Sequence, residues 1–203
     1  MKILAVSTGT AQRLAGKSYK TGIDKHPVTG PLLVDAEGLV GDAICNRKHH
    51  GGPEQAVYVE GWLTLDWWAA ELGRTIPPGT FGENLVIEGI DNRLVAVGDR
   101  FAFGTIVLEV TSARIPCATF AAHMDDPGFV KRYFRAGRPG IYCRVLSGGV
   151  VQAGMPVTYT PYGGEKVTMP ELMETYGRIP AADHARYLSA PISAKIRTLL
   201  TTG

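Results

Sequence analysis

The sequence predicts a mainly β protein with peripheral helices, a barrel or sandwich with a small three-helix appendage at its C-terminal end. Three observations predict it. Short runs rich in Val, Ile and Leu are punctuated by 25 Gly and 13 Pro, the pattern of many short strands joined by turns. No G-x-G-x-x-G follows a strand and no phosphate loop ending in G-K-S/T is present, which argues against a doubly wound nucleotide fold. The composition then changes after "PYGG".

Taken in order, "KILAVS", "PLLVD", "AVYVE", "NLVIEG", "RFAFG", "TIVLEV", "IYCRVL" and "MPVTYT" each read as a strand. Within "GDRFAFGTIVLEV" two strands meet at Gly104 in a tight turn. "WLTLDWWAAEL" has helical spacing that predicts Trp62, Leu65, Ala69 and Leu72 on one buried face. Shorter helices are expected from Cys117 through His123 and over "FVKRYFRAG", with Lys131, Arg132, Arg135 and Arg138 on a solvated face. Farther along, "TMPE" is a capping box at Thr168, and Pro180 and Pro191 mark two more helix starts. Leu172, Tyr176, Leu188, Ile192, Ile196 and Leu199 are expected to make one small shared core. Residues 1–162 are therefore read as the β domain and 166–203 as the helical one, with the linker at Pro161–Glu165. There is no internal repeat and no low-complexity tract.

The 203 residues carry 45 % hydrophobic and 20 % charged residues and a formal charge of only +2. A folded domain follows, and a general nucleic-acid binder does not. Three widely spaced cysteines are no disulfide framework and fit a reducing compartment. "MKILAVSTGT" reads as a first strand rather than a signal or a membrane span, so the expected location is the cytoplasm, away from membranes.

Three segments carry chemistry. In "TSARIPCATF" a strand ends, the chain turns, and Cys117 is expected in the first turn of a helix. There the backbone N–H groups and the cation of Arg114 favour a thiolate, the form that binds metals or attacks. A buried, inert thiol is the competing reading of this segment, and the one favoured for Cys143, which alternates with Ile141 and Val145. The second segment, "GLVGDAICNRKHHGGPEQAVYVE", sets Asp42, His49 and His50 ahead of Gly51 and Gly52. The glycines let backbone approach an anion, and histidines move protons near neutral pH. In the third, "PGTFGENLVIEG", Asn84 can bond a heterocycle edge and Glu83 can orient a basic partner. Cys45 and His49 do not complete a zinc set, and no G-x-S-x-G marks a serine hydrolase.

In this order, "GLVGD…HHGGPEQAVY", "PGTFGENL" and "VGDRFAFGTIVLEVTSARIPC" resemble the MOSC family, the domain shared with the C-terminal part of molybdenum cofactor sulfurases. The chain looks like the stand-alone branch associated with resistance to an N-hydroxylated purine. The resemblance covers most of residues 1–160 and implies a closed, mostly antiparallel β-barrel. It also implies a molybdenum cofactor, a pyranopterin dithiolene holding the metal, with Cys117 as the protein ligand. Asp42, His50, Gly51, Gly52 and Asn84 would line the pocket, His49 would stand beside it, and Arg114 would balance cofactor charge. The implied activity is reduction of N-hydroxylated compounds to amines, with His50 or Asp42 as proton donor. A carrier of the cofactor, or of a Cys117 persulfide, is the alternative. The sequence shows neither an iron–sulfur cysteine cluster nor a flavin fingerprint, so a separate flavoprotein or ferredoxin-like electron donor is implied. The resemblance is also compatible with a homodimer.

Overall fold

The computed structural model describes residues 1–46 and 51–201. Thirteen strands and six α-helices follow one another along the described residues. The strands are β1 (Ile3–Gly9), β2 (Gln12–Arg13), β3 (Lys20–Thr21), β4 (Lys25–Pro27), β5 (Leu32–Asp35), β6 (Gly38–Leu39) and β7 (Val57–Gly61). After helix α1 (Trp62–Leu72) come β8 (Leu85–Ile87), β9 (Arg100–Phe103) and β10 (Ile106–Ala113). Helices α2 (Ala118–His123) and α3 (Phe129–Ala136) precede β11 (Ile141–Ser147), β12 (Gly149–Val151) and β13 (Thr158–Thr160), and the chain continues into α4 (Met169–Glu174), α5 (His184–Ser189) and α6 (Ala194–Thr201). Every predicted strand is present. The Gly104 turn is too: Phe103 faces Ile106 across it, and Gly104 has φ +57°.

Eight strands form the main sheet in the order β13-β9-β10-β11-β7-β8-β1-β4, with β12-β5-β6 and β2-β3 as smaller sheets. All pairs are antiparallel except β7 with β8. That exception has a local cause. The chain leaves β7, crosses over through α1 and returns in the same direction, and a helical crossover of this kind makes a parallel pair. No ladder joins β13 to β4 among the described residues. Main-chain bonds do tie the start of β1 to the segment before β13: Ile3 N–H donates to Met155 O at 2.9 Å and Val157 N–H to Met1 O at 3.0 Å.

Helix α1 forms where expected but is rotated. Thr64, Leu65 and Trp68 are buried, whereas Trp62 is 40 % exposed and Ala69 and Leu72 are only half-buried. The reason is aromatic: Trp68 lies parallel to the Tyr133 ring at 5.7 Å and edge-on to Phe81 at 5.6 Å, and Phe120 and Phe129 complete the cluster. That cluster joins α1, α2 and α3 on one side of the sheet and fixes which face of α1 turns inward. Cys143 is fully buried in the core, as read from its alternation. Of the expected basic face, Lys131, Arg132 and Arg135 are exposed. Arg138 is not: it lies past α3, buried, ion-paired with Asp91 at 3.2 Å and over the Trp67 ring.

Thr168 caps α4 by accepting the Glu171 N–H at 3.4 Å. The Glu171 carboxylate does not reach back to complete the box; it pairs with Arg186 and accepts from Tyr187 Oη. Leu172, Ile192 and Ile196 are buried as expected, but Tyr176 and Leu199 are 40 % and 48 % exposed. The buried side chains of α4 to α6 belong to the same hydrophobic cluster as the sheet. Main-chain bonds from Val97 to Val167 O and from Ser193 to Thr111 O join the two parts.

Candidate functional site

A cavity of about 340 Å³ opens at the end of β10, and Cys117, Arg114, Asp42, Asn84 and Gly51 all line it. Sequence segments far apart meet there because β10 delivers Arg114 and Cys117 while β1 and β4 bring in the Asp42 loop. Gly52 does not line the cavity. His49 and His50 lie outside the described residues.

Cys117 is not in the first turn of α2 but at its N-cap, in extended backbone with φ −135°. The Ile115-Pro116 step keeps the chain from entering a helix sooner. The side chain makes no capping bond to α2; the residue lines the cavity and is half-buried rather than sealed in the core.

Arg114 is 5 % exposed. Its guanidinium lies 3.6 Å from the Phe120 ring centroid and within 6 Å of Tyr58 and Tyr133. No carboxylate forms an ion pair with it among the described residues, and Nη1 is buried without a hydrogen-bond partner. A guanidinium cannot shed its charge in a protein. The cavity therefore holds a fixed cation packed on aromatic faces, with Glu60 and Glu83 acting on it only at longer range, an arrangement that favours an anion.

Asp42 is committed on every side. Its carboxylate accepts from Gly9 N–H at 2.8 Å and Asn84 Nδ2 at 2.9 Å, and pairs with Lys25 Nζ. Asn84 also accepts from Tyr58 N–H at 3.1 Å and donates to Ser7 O. Its amide is thereby spent on the fold rather than left open for a heterocycle. Lys25, buried at the cavity wall, was not legible as a site residue. Burial lowers its pKa and the Asp42 carboxylate works against that. Glu83 does not orient a basic side chain; its carboxylate accepts Gly79 and Phe81 N–H groups, and burial raises its pKa to about 7. Deeper still, Glu60 accepts from Tyr58 Oη at 2.6 Å and from Asn92, and burial raises its pKa to about 8.

The double-glycine bend is as expected, with φ +76° at both Gly51 and Gly52, a conformation that costs glycine nothing. Gly22 was not foreseen. A Cβ there would stand 1.8 Å from Ala43 O, so only glycine lets the Tyr19–Ile23 stretch close on the Asp42 loop. Tyr19 Oη and Thr119 Oγ1 share a hydrogen bond of 2.8 Å across the same cavity.

A β sheet with helices around a cysteine, a buried arginine and a lysine–aspartate pair defines a class. The MOSC domain model matches residues 46–158, and the chain belongs to that family. It is 32 % identical to the uncharacterized protein YflK of Bacillus subtilis (strain 168) over 75 % of this chain and 70 % of that one. It is also 32 % identical to a protein named as a reductase from Gibberella moniliformis, over 75 % of this chain but only 28 % of that protein. The crystal structure of YiiM from Geobacillus stearothermophilus superposes with a TM-score of 0.80 at 25 % identity, covering 99 % of this chain and 97 % of that one. The likeness therefore extends through the C-terminal helices. No described helix is long and apolar enough to cross a membrane.

Proposed function

We propose that the protein binds a molybdenum cofactor, with Cys117 as the protein ligand to the metal, and reduces N-hydroxylated compounds to amines. The observation that carries the reading is the pairing of Cys117 with Arg114 in one cavity: a half-buried thiol beside a buried cation whose Nη1 has no partner. The residues fit the group. A thiolate suits a soft metal already held by dithiolene sulfurs, and Arg114 and Lys25 suit its anionic oxygens. When bound, the cofactor supplies two-electron redox chemistry.

The chain does the rest. Arg114 holds negative charge next to the sulfur. Asp42, with both oxygens engaged, fixes Lys25 at the wall. Lys25 at the cavity wall and His50, carried over from the family resemblance, are the proposed proton donors. In the balanced reaction the N–O bond breaks, a new N–H bond forms, and the oxygen leaves as water. Two protons and two electrons are consumed, the electrons coming from a separate reduced flavoprotein or ferredoxin-like protein in the cytoplasm. The exposed side of the C-terminal helices is the proposed docking surface for that donor. The main-chain bonds between Met1–Ile3 and Gly154–Val157 support reading the wall as a closed barrel. The reductase name of the Gibberella relative supports the reaction class.

The test is elemental analysis of protein made in a host that synthesises the cofactor, beside Cys117→Ser, with turnover of an N-hydroxylated purine and a reduced donor. About one molybdenum per chain and catalytic turnover are expected in the wild type and neither in the variant. Equal molybdenum in both, or none in either, would overturn the reading. A single stoichiometric transfer without turnover would instead identify a carrier.

A further inference from the structure

Cys117 stands where two cavities meet. Beyond it, between the end of β10 and helices α4 and α6, lies a second cavity of about 330 Å³. The two share Asn46, Gln55, Thr119 and Tyr142 as well as Cys117. Their chemistry differs. The first holds Lys25, Asp42 and Arg114. Much of the second is apolar or aromatic, with Leu172, Ile196, Tyr142 and Tyr176 in its walls. Among the described residues lining it, Lys195 is the one cationic side chain and there is no carboxylate. Its Nζ lies 6.0 Å from the Tyr176 ring centroid. The nearby acid, Glu54, is engaged elsewhere: it pairs with Arg144 at 3.0 Å and accepts the Ala194 N–H at 3.2 Å. Ser112 also lines the cavity, and its Oγ is buried without a hydrogen-bond partner. A buried hydroxyl left unpaired is costly unless a ligand or water satisfies it.

We propose that this second cavity is the substrate chamber, and that it selects flat aromatic N-hydroxylated compounds bearing an anionic substituent. The inference rests on the reductase reading in one respect: the N-hydroxyl group must arrive at the sulfur side of the first cavity. The aromatic ring packs between Tyr142 and Tyr176, with Leu172 and Ile196 beneath. The anionic group meets Lys195 at the start of α6. The C-terminal helices thus set specificity, and Lys195 is the specificity-determining residue.

Three probes test it: benzamidoxime, its 4-carboxylate and its 4-aminomethyl counterpart. In metal-free, full-length protein, each is titrated for its ability to slow alkylation of Cys117 by iodoacetamide. The carboxylate is expected to protect at a several-fold lower concentration than the neutral probe, and the cationic probe to protect least. Lys195→Met should erase that order while leaving the neutral probe unchanged, and Lys195→Glu should reverse it. Three equal protection curves, or an order that survives both substitutions, would overturn the chamber. The readout is separate from turnover. Charge-ordered protection in a protein that proves inactive when loaded with cofactor would sink the reductase and keep the chamber. Turnover without charge order would do the opposite.

Discussion

At the scale of single residues, the site is a problem in buried charge. Asp42 and Lys25 neutralise one another with side chains 5 % and 8 % exposed. Removing one partner of such a pair leaves an uncompensated charge in a poor solvent. Asp42→Asn is therefore expected to cost about 3 kcal/mol in urea unfolding, and the Asp42→Asn/Lys25→Met double variant to recover most of that loss. Simple additivity of the two losses would show that the pair is not coupled. Arg114 should behave differently, because among the described residues no carboxylate forms an ion pair with it and its removal strands no bonded anion. Arg114→Met is expected to leave unfolding stability unchanged or higher. The same substitution should slow iodoacetamide alkylation of Cys117 several-fold at pH 7, since a nearby cation favours the reactive thiolate. An unchanged rate would mean that the guanidinium does not act on the sulfur.

At the scale of elements, the junctions matter more than the elements. Gly140 precedes β11, and a Cβ there would lie 2.2 Å from the Tyr58 ring, itself buried and bonded to Glu60. Gly140→Ala is expected to cost about 2–3 kcal/mol by overpacking, read as a lower urea midpoint with an unchanged slope. A wild-type midpoint would show that the Tyr58 ring has room to move. The long strands were legible because Val, Ile and Leu run between Gly and Pro without interruption. The two- and three-residue strands β2, β3, β4, β6 and β12 were not, since they lie outside any longer apolar run and so short a segment carries no period. The parallel β7–β8 pair follows from the strand, helix, strand order of the chain. The cavity lining was legible for a different reason. Cys117, Arg114, Asp42, Asn84 and Gly51 sit in the ordered motifs that carry the family resemblance, and all five line one cavity. Lys25, Tyr58 and Gly22 look ordinary in sequence and reach the cavity only through pairing between distant strands. The rotation of α1 was hidden for the same cause: its inner face is chosen by Phe120, Phe129 and Tyr133, which come some fifty residues later.

At the scale of the whole molecule, Glu60 makes stability depend on pH. Its pKa rises from an ordinary carboxylate value to about 8 in the folded state because burial disfavours the anion. Between those values the unfolded chain gives up a proton that the folded chain keeps, so stability falls as pH rises from 5 to 8. Glu60→Gln removes the Glu60 contribution and leaves that of Glu83, whose pKa burial raises to about 7. Its stability relative to wild type should therefore increase across that range in urea unfolding at pH 5, 6.5 and 8, and parallel curves would rule the burial cost out. The C-terminal helices act at the same scale. Met169, Leu172, Met173 and Tyr187 are buried in the cluster that fills the sheet. A chain ending at Glu165 is expected to unfold at a lower midpoint and to bind a hydrophobic dye; a midpoint equal to that of the full chain would show that the helices are energetically separate.

The seam between Met1–Ile3 and Gly154–Val157 has a consequence in time rather than space. Strand β1 meets one of its edges early, through β4, but the backbone groups at its beginning wait for residues assembled much later on the ribosome. Contacts of such wide sequence separation are slow to form. The first strand thus stays incompletely matched through most of translation, and it is in that interval, before the seam is sewn, that the nascent chain is most open to aggregation and to the help of chaperones.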